Sequence, residues 1–252
     1  MAQQVRTLEA HLGLALFQRL PRGLALTPAG ASYLADVTRA LDTLGEATAR
    51  LHAGPDAVTI SVTPTFAAKL LIPRLADFNA ALPGVELRIV ATEALSDFDR
   101  DQVDIAVRLT RPPFPATQEA RLLLRLDLVA VASPHLIGQM TLPLEPEQLL
   151  ELPLLHDAHG HWPAFLRTSG KLPGAAFNQT ALALDAALAG QGVAIAARAF
   201  VQADLAAGRL VQVAESALTT GPDYFLVRKR SQSPVAAVES VWAWCATQLV
   251  SR

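Results

Sequence analysis

The sequence predicts an α/β protein in three parts: a short front module, one long helix, and two blocks in which strands and helices alternate. Three observations carry this. From Leu8 to Gly30 a helical pattern, a basic turn and a second helix start follow one another. Between residues 29 and 53 apolar side chains recur every three or four positions. From residue 56 onward, short apolar runs of strand type alternate with helical patterns.

The front module is built from local signals. Val5, Leu8 and Leu12 stand at helical spacing, and Gly13 follows as a C-cap. Leu20-Pro21-Arg22-Gly23 forms a tight basic turn between two apolar runs, the pattern of a hairpin tip. Thr27-Pro28 sets a capping residue before a proline at the first helical position. Helix, basic hairpin and helix in that order make the back half of a winged helix-turn-helix. Arg6, Arg19 and Arg22 against Glu9 leave residues 1–30 with two surplus positive charges, although the whole chain carries −2.

The next helix carries Tyr33, Val37, Ala40, Leu41, Leu44, Ala47 and Leu51 on one stripe. Such a stripe suits pairing with a second copy of the chain, or packing on its own domain. Gly54-Pro55 ends it and marks a domain boundary.

The alternating region begins with a strand at Val58–Val62. A helix is expected over Thr65–Ala81, with Leu70, Leu71, Leu75 and Phe78 inward, then strands at Val85–Val90 and Ile105–Val107. Leu122–Ala132 reads as one long apolar strand region interrupted by Arg125 and Asp127. Pro134 opens the second block: strands at Leu154-Leu155, Ala175–Phe177 and Val193–Ala196, and helices at His161–Thr168, Thr180–Ala189 and Ala199–Ala206. A strand at Tyr224–Val227 and a helix at Val235–Leu249 close the chain. The alternation implies mostly parallel sheets covered on both faces.

Half the residues are apolar and 17% charged, which suits a large buried core and argues against disorder. The single cysteine, Cys245, excludes an internal disulfide and fits a reducing compartment. The N-terminus lacks a signal-peptide pattern, and no apolar run approaches the roughly 20 residues of a membrane span. A cytoplasmic protein without membrane partners is expected.

Several side chains are candidates for binding. Thr63-Pro64-Thr65-Phe66 lies between a strand's carboxyl end and a helix start, where open α/β sheets bind ligands and free amides favour an anion. Thr65 there is equally an ordinary N-cap. Asp104 begins a buried strand and Arg108 ends it. Arg108 has the chemistry to clamp a carboxylate, or to join a surface or hinge ion pair. Gln179-Thr180 heads a later helix, and Tyr224 follows the second crossover with a hydroxyl to offer the same cleft. Gly190-Gln191-Gly192 ends a helix before a strand, the reverse of a phosphate loop. His156-Asp157-Ala158-His159-Gly160-His161 is dense in ligating side chains, but its spacing departs from zinc patterns, so no metal is expected. Cys245, beside Trp242 and Trp244, reads as a small buried apolar residue. No catalytic set is visible, and no cofactor is expected.

Leu8-Glu9, Leu12-Gly13, Leu16-Phe17, Arg19, Arg22-Gly23 and Leu26-Thr27-Pro28-Ala29-Gly30 resemble the N-terminal signature of the LysR-type transcriptional regulators. Thr65-Phe66-Ala67 and Asp104-Ile105-Ala106-Val107-Arg108 resemble segments of the glycine-cleavage-activator-like subgroup, as do Leu154-Leu155-His156-Asp157 ahead of Trp162. The resemblance implies a partial winged helix-turn-helix at 1–28, a linker helix at 29–54 and a periplasmic-binding-protein-like effector domain at 55–252. Lobe I of that domain would take about 56–132 and 222–252, and lobe II about 133–221. The family pattern begins with two further helices, and Met1 of this chain falls inside the recognition helix. Weak, salt-sensitive DNA binding is therefore expected of residues 1–252 alone.

The same resemblance assigns double-stranded DNA to Gln3, Gln4, Arg6, Arg19, Arg22 and Gly23. It assigns a small anionic or polar effector to Thr63, Thr65, Phe66, Arg108, Gln179, Thr180 and Tyr224. Tyr33, Val37, Leu41, Leu44 and Leu51 would form a homodimer or homotetramer, with RNA polymerase as a further candidate partner. The rival reading is a solute-binding protein of the same fold without DNA binding.

Overall fold

The computed structural model describes residues 2–20, 23–51, 57–94, 98, 100–215, 218–219, 221–231 and 235–249. The chain divides into two units, Met1–Pro55 and Asp56–Arg252.

In the first unit, α1 (Ala2–Leu12) stops at Gly13, whose φ of 66° suits a residue without a Cβ. β1 (Phe17–Leu20) and β2 (Gly23–Leu26) pair antiparallel with Phe17 opposite Leu26. The hairpin tip, with Pro21 and Arg22, lies outside the described residues. Glu9 ties α1 to this hairpin: its Oε1 accepts from Leu16 N at 2.7 Å and Phe17 N at 3.0 Å. Thr27 caps α2 (Pro28–Leu51), its hydroxyl accepting from Gly30 N at 3.0 Å and donating to the Ala15 carbonyl at 2.8 Å. Gly30 sits so close to the Leu16 backbone that a Cβ would lie 2.0 Å from the Leu16 oxygen. Leu8, Leu16, Phe17, Leu26, Tyr33, Leu34 and Val37 line an apolar groove of about 280 Å³. Further along α2, Leu41 and Leu44 are 61% and 63% exposed. The Leu51 side chain falls outside the described residues.

The second unit has two sheets. β3 (Ala57–Val62) leads into α3 (Pro64–Phe66), a π-helical turn (Ala67–Leu71), a 3-10 turn (Ile72–Arg74) and α4 (Leu75–Ala81). The single helix expected over Thr65–Ala81 is thus broken. Pro73 accounts for the 3-10 turn, since it lacks the N–H that a continuing helix needs. β4 (Glu86–Ala91), β5 (Ile105–Thr110) and β6 (Gln118–Leu124) follow. The apolar region of 122–132 splits here: Asp127 N bonds to the Arg125 carbonyl in a turn, and β7 (Asp127–Ala132) enters the other sheet. The polar interruption at Arg125 and Asp127 is the crossover, ahead of the boundary expected near 133.

The second lobe continues with α5 (Pro134–Ile137), α6 (Pro146–Leu150), β8 (Leu154–His156), α7 (Trp162–Phe165) and β9 (Ala175–Ala176). Next come α8 (Thr180–Leu188), β10 (Val193–Ala197), α9 (Arg198–Ala206), β11 (Val211–Gln212) and β12 (Leu218–Thr219). β13 (Asp223–Lys229) returns to the first sheet and α10 (Ala236–Gln248) covers it.

Strand order is β4-β3-β5-β13-β6 in lobe I and β11-β7-β10-β8-β9 in lobe II, with β12 also on β7. The sheets are mixed rather than mostly parallel. β13 runs against β5 and β6, and β7 runs against β10, β11 and β12. The geometry explains this. Each of these strands enters from the other lobe at the hinge, so it must run away from the ends toward which β3, β5 and β10 point. The core is continuous, with Val58, Ile60, Ile105 and Leu226 in lobe I and Val129, Leu184 and Val193 in lobe II fully buried. Cys245 is buried, and burial pushes its thiol up to about 12, which fits an inert apolar role. Among the described residues, no helix is long and apolar enough to cross a membrane.

Candidate functional site: the junction of the two lobes

The carboxyl ends of β3, β5 and β10 converge on the crossovers, the place where open α/β sheets present ligand sites. Thr63, Thr65 and Thr180 are all buried there. The N-cap position of α3 belongs to Thr63 rather than Thr65, and its hydroxyl makes no capping bond. It lies 3.4 Å from the Tyr224 hydroxyl instead. Thr65 stands inside the helix, and its Oγ1 accepts from Ala181 N of the opposite lobe at 3.2 Å.

Three further ties join the lobes. Lys69 Nζ meets Asp185 Oδ1 at 2.9 Å. Phe66, fully buried, lies with its ring 6.4 Å from that of Phe200 and 5.4 Å from that of Tyr224. Phe200 and Tyr224 are themselves 5.6 Å apart and nearly perpendicular.

At the head of α8, Gln179 takes the N-cap position without a side-chain bond. Thr180 Oγ1 donates to Asp157 Oδ2 at 2.6 Å, and Asp157 Oδ1 accepts from His159 N at 3.0 Å. Asp157, His159, His161, Thr180 and Tyr224 line an interlobe cavity with Leu109, Leu128, Ile195 and Phe200. That cavity is about 10 Å³, room for about one water molecule. Burial pushes the Tyr224 phenol up to about 12, so it stays a neutral donor. Burial also holds the His161 imidazole below its usual range, with Asp157 acting in the opposite sense. The rings of His159 and His161 stack 5.5 Å apart, and His156 bonds outward to the Pro173 carbonyl at 3.2 Å. Among the described residues no group of three or more His, Cys, Asp or Glu is arranged to hold a metal ion.

Arg108 and Asp104 do not pair. Asp104 precedes β5 and Arg108 lies within the strand, which continues to Thr110 rather than ending at Arg108 as expected. Asp104 Oδ2 accepts from Thr59 N at 2.8 Å while burial raises its pKa. The Arg108 guanidinium is buried against lobe I's own backbone. It donates to the Ser61 carbonyl at 2.9 Å, the Val107 carbonyl at 2.8 Å and the Ala94 carbonyl at 3.3 Å, and it also bonds Ser61 Oγ. Burial lowers its pKa, with Glu93 opposing. It is not part of the cavity lining. Asp157, His159 and His161 are, and the sequence offered them as a chelating run, with Asp157 also in a segment resembling the subgroup, but not as effector contacts. The signal that could have found them is their position after β8, a strand whose carboxyl end faces the cleft.

In the first unit, Gln3, Gln4 and Arg6 are exposed on α1, while Gly23 and the backbone of Arg19 lie in the hairpin. A two-lobed binding domain behind a helix–hairpin–helix module defines a ligand-responsive regulator.

The chain matches the LysR substrate binding domain over residues 55–250 and the bacterial regulatory helix-turn-helix protein, lysR family, over residues 1–31. The chain belongs to the LysR-type transcriptional regulators. It is 36% identical to the glycine cleavage system transcriptional activator of Escherichia coli K12, over 97% of this chain and 82% of that one. It is 32% identical to the transcriptional activator AmpR of Providencia stuartii, over 96% and 84%. The AmpR effector binding domain of Citrobacter freundii superposes with a TM-score of 0.64 at 25% identity, covering 77% of this chain and 98% of that domain. Full-length AphB of Vibrio cholerae shares the fold with a TM-score of 0.56 at 20% identity, covering 96% and 87%. These relatives are transcriptional regulators, not enzymes, and the family binds DNA and small-molecule effectors as oligomers.

Proposed function

We propose that this chain is a cytoplasmic LysR-type regulator whose interlobe cleft takes a small polar metabolite bearing a carboxylate. The observation that carries this is the bond from Ala181 N to Thr65 Oγ1 across the cleft. It places a helix-head amide and a hydroxyl face to face between the lobes, and amides at a helix start favour an oxyanion. Thr63, Thr180 and Tyr224 supply further neutral hydrogen-bonding groups. Gln179, the N-cap of α8, and the buried Phe66 would take part beside them. Arg108 acts by fixing the Ser61 and Ala94 backbone of lobe I. Opening and closing of the cleft would shift the population of oligomer geometries.

The test is calorimetric titration with whichever small carboxylic acid raises the melting temperature. Thr65→Ala, Thr180→Ala and Tyr224→Phe should each weaken binding by about 1 kcal/mol, roughly fivefold in Kd. Thr65→Ser should bind like the parent. Parental affinity in all three variants would place the pocket elsewhere.

Assembly and DNA contact complete the reading. Tyr33, Val37, Leu41, Leu44 and Leu51 on α2 would pair with a second copy, giving a dimer or tetramer. Two aspartates at Leu41 and Leu44 should lower the mass seen by light scattering. An unchanged mass would assign α2 to packing within its own chain. Gln3, Gln4 and Arg6 on α1 would face base edges and phosphates, and the Arg19–Gly23 hairpin the backbone or minor groove. RNA polymerase would be contacted from the promoter-bound oligomer.

A further inference from the structure

Resting on the cleft reading above, we propose that the ligand carries an amine beside its carboxylate, and that Asp157 of lobe II receives the amine. The junction sets hydrogen-bond donors and acceptors side by side. On lobe I, Thr65 Oγ1 accepts from Ala181 N, and its own proton is committed to no acceptor among the described residues. That side offers a hydroxyl donor, and the helix-head amide of Ala181 faces it from lobe II, next to Thr180. The side chains of lobe II have the reverse polarity. Thr180 has one hydroxyl proton and gives it to Asp157 at 2.6 Å. Its oxygen can then only accept from anything entering the cleft. Asp157 is acceptor-only when ionised, and its two oxygens have accepted one bond each, leaving lone pairs on both.

Charge sharpens the choice between an amine and another donor. Asp157 makes no salt bridge among the described residues. Its imidazole neighbour His161 is held toward the neutral form by burial, and the rest of the lining is largely apolar. A carboxylate beside such a surface gains most from a cation that brings its own hydrogen-bond donors. A hydroxyl would satisfy the geometry without the charge. The ligand class is therefore a zwitterion with amine and carboxylate a few atoms apart, as in an amino acid.

The experiment uses the full chain and matched sets of the twenty protein amino acids, their N-acetyl derivatives and the corresponding 2-hydroxy acids. Thermal shift finds the binders and calorimetry measures them. At least one amino acid should bind, and its N-acetyl and hydroxy counterparts should bind roughly tenfold more weakly or worse. Asp157→Asn should bring the amino acid down to the level of its hydroxy acid. Should that variant fail to fold, the ligand pairs on the parent chain still decide. Equal affinity for amino and hydroxy acids, or no binding by any amine-bearing probe, overturns the proposal. If carboxylates bind regardless of the amine and Tyr224→Phe weakens them, the cleft reading survives alone. If carboxylates bind and neither variant matters, both readings fall.

Discussion

Replacing Phe66 by alanine should lower the melting temperature of the effector unit by roughly 6 to 20 °C. The ring is fully buried and touches aromatic partners from both lobes, Phe200 and Tyr224. Deleting a buried phenylalanine removes its transfer free energy and leaves a cavity, together about 3–5 kcal/mol. For a unit of this size each kcal/mol moves the midpoint by about 2–4 °C. The site admits no easy collapse, because Phe66 ends α3 where it passes into the π-helical turn, whose Leu71 is also fully buried. Phe66→Leu retains most of the volume and should recover most of the loss. Calorimetry of both variants checks this, and a shift within 2 °C of the parent for alanine would mean the three rings are not packed as described.

Gly30→Ala should undo the front unit. The added Cβ would lie 2.0 Å from the Leu16 carbonyl oxygen and 2.9 Å from its carbon. Both are backbone atoms, so no rotamer relieves the overlap and α2 must move off the start of β1. That movement stretches the bonds from Thr27 N to the Leu16 carbonyl (2.9 Å) and from the Thr27 hydroxyl to the Ala15 carbonyl (2.8 Å). Two such bonds and the packing around them are worth roughly 2–3 kcal/mol, much of what a core this small supplies. Hydrogen exchange should show amides of α1 and the hairpin losing protection while those of β3 and β5 keep it. Unchanged protection would show that α2 does not rest on the Leu16 backbone.

Local signals in the sequence located most elements, because capping and turn chemistry act over a few residues. Gly13 and Thr27-Pro28 delimit the front elements as read. What escaped the sequence depends on distant partners. Leu122–Ala132 is apolar apart from Arg125 and Asp127, and nothing local says that the strands on either side of that interruption lie in different sheets. Thr65 has the residue type of a cap, but the acceptor role of its hydroxyl is fixed by Ala181, 116 positions away. Arg108 has the chemistry of a clamp, and only the fold reveals that Ser61 and Ala94 hold it. Asp157 was visible as a ligating residue, while its bond to Thr180 needed α8 to be folded onto β8.

The junction also governs kinetics. The cavity among Asp157, Thr180 and Tyr224 has room for about one water molecule, so a metabolite would reach it only with the neighbouring side chains displaced. Entry must wait until the Ala181–Thr65 and Lys69–Asp185 contacts part. Association would then saturate at the opening rate as solute concentration rises, rather than climb without limit. The measured dissociation constant would be the intrinsic one divided by the open fraction. Lys69→Met, which removes the Lys69–Asp185 contact, should then tighten binding by making the open form more common.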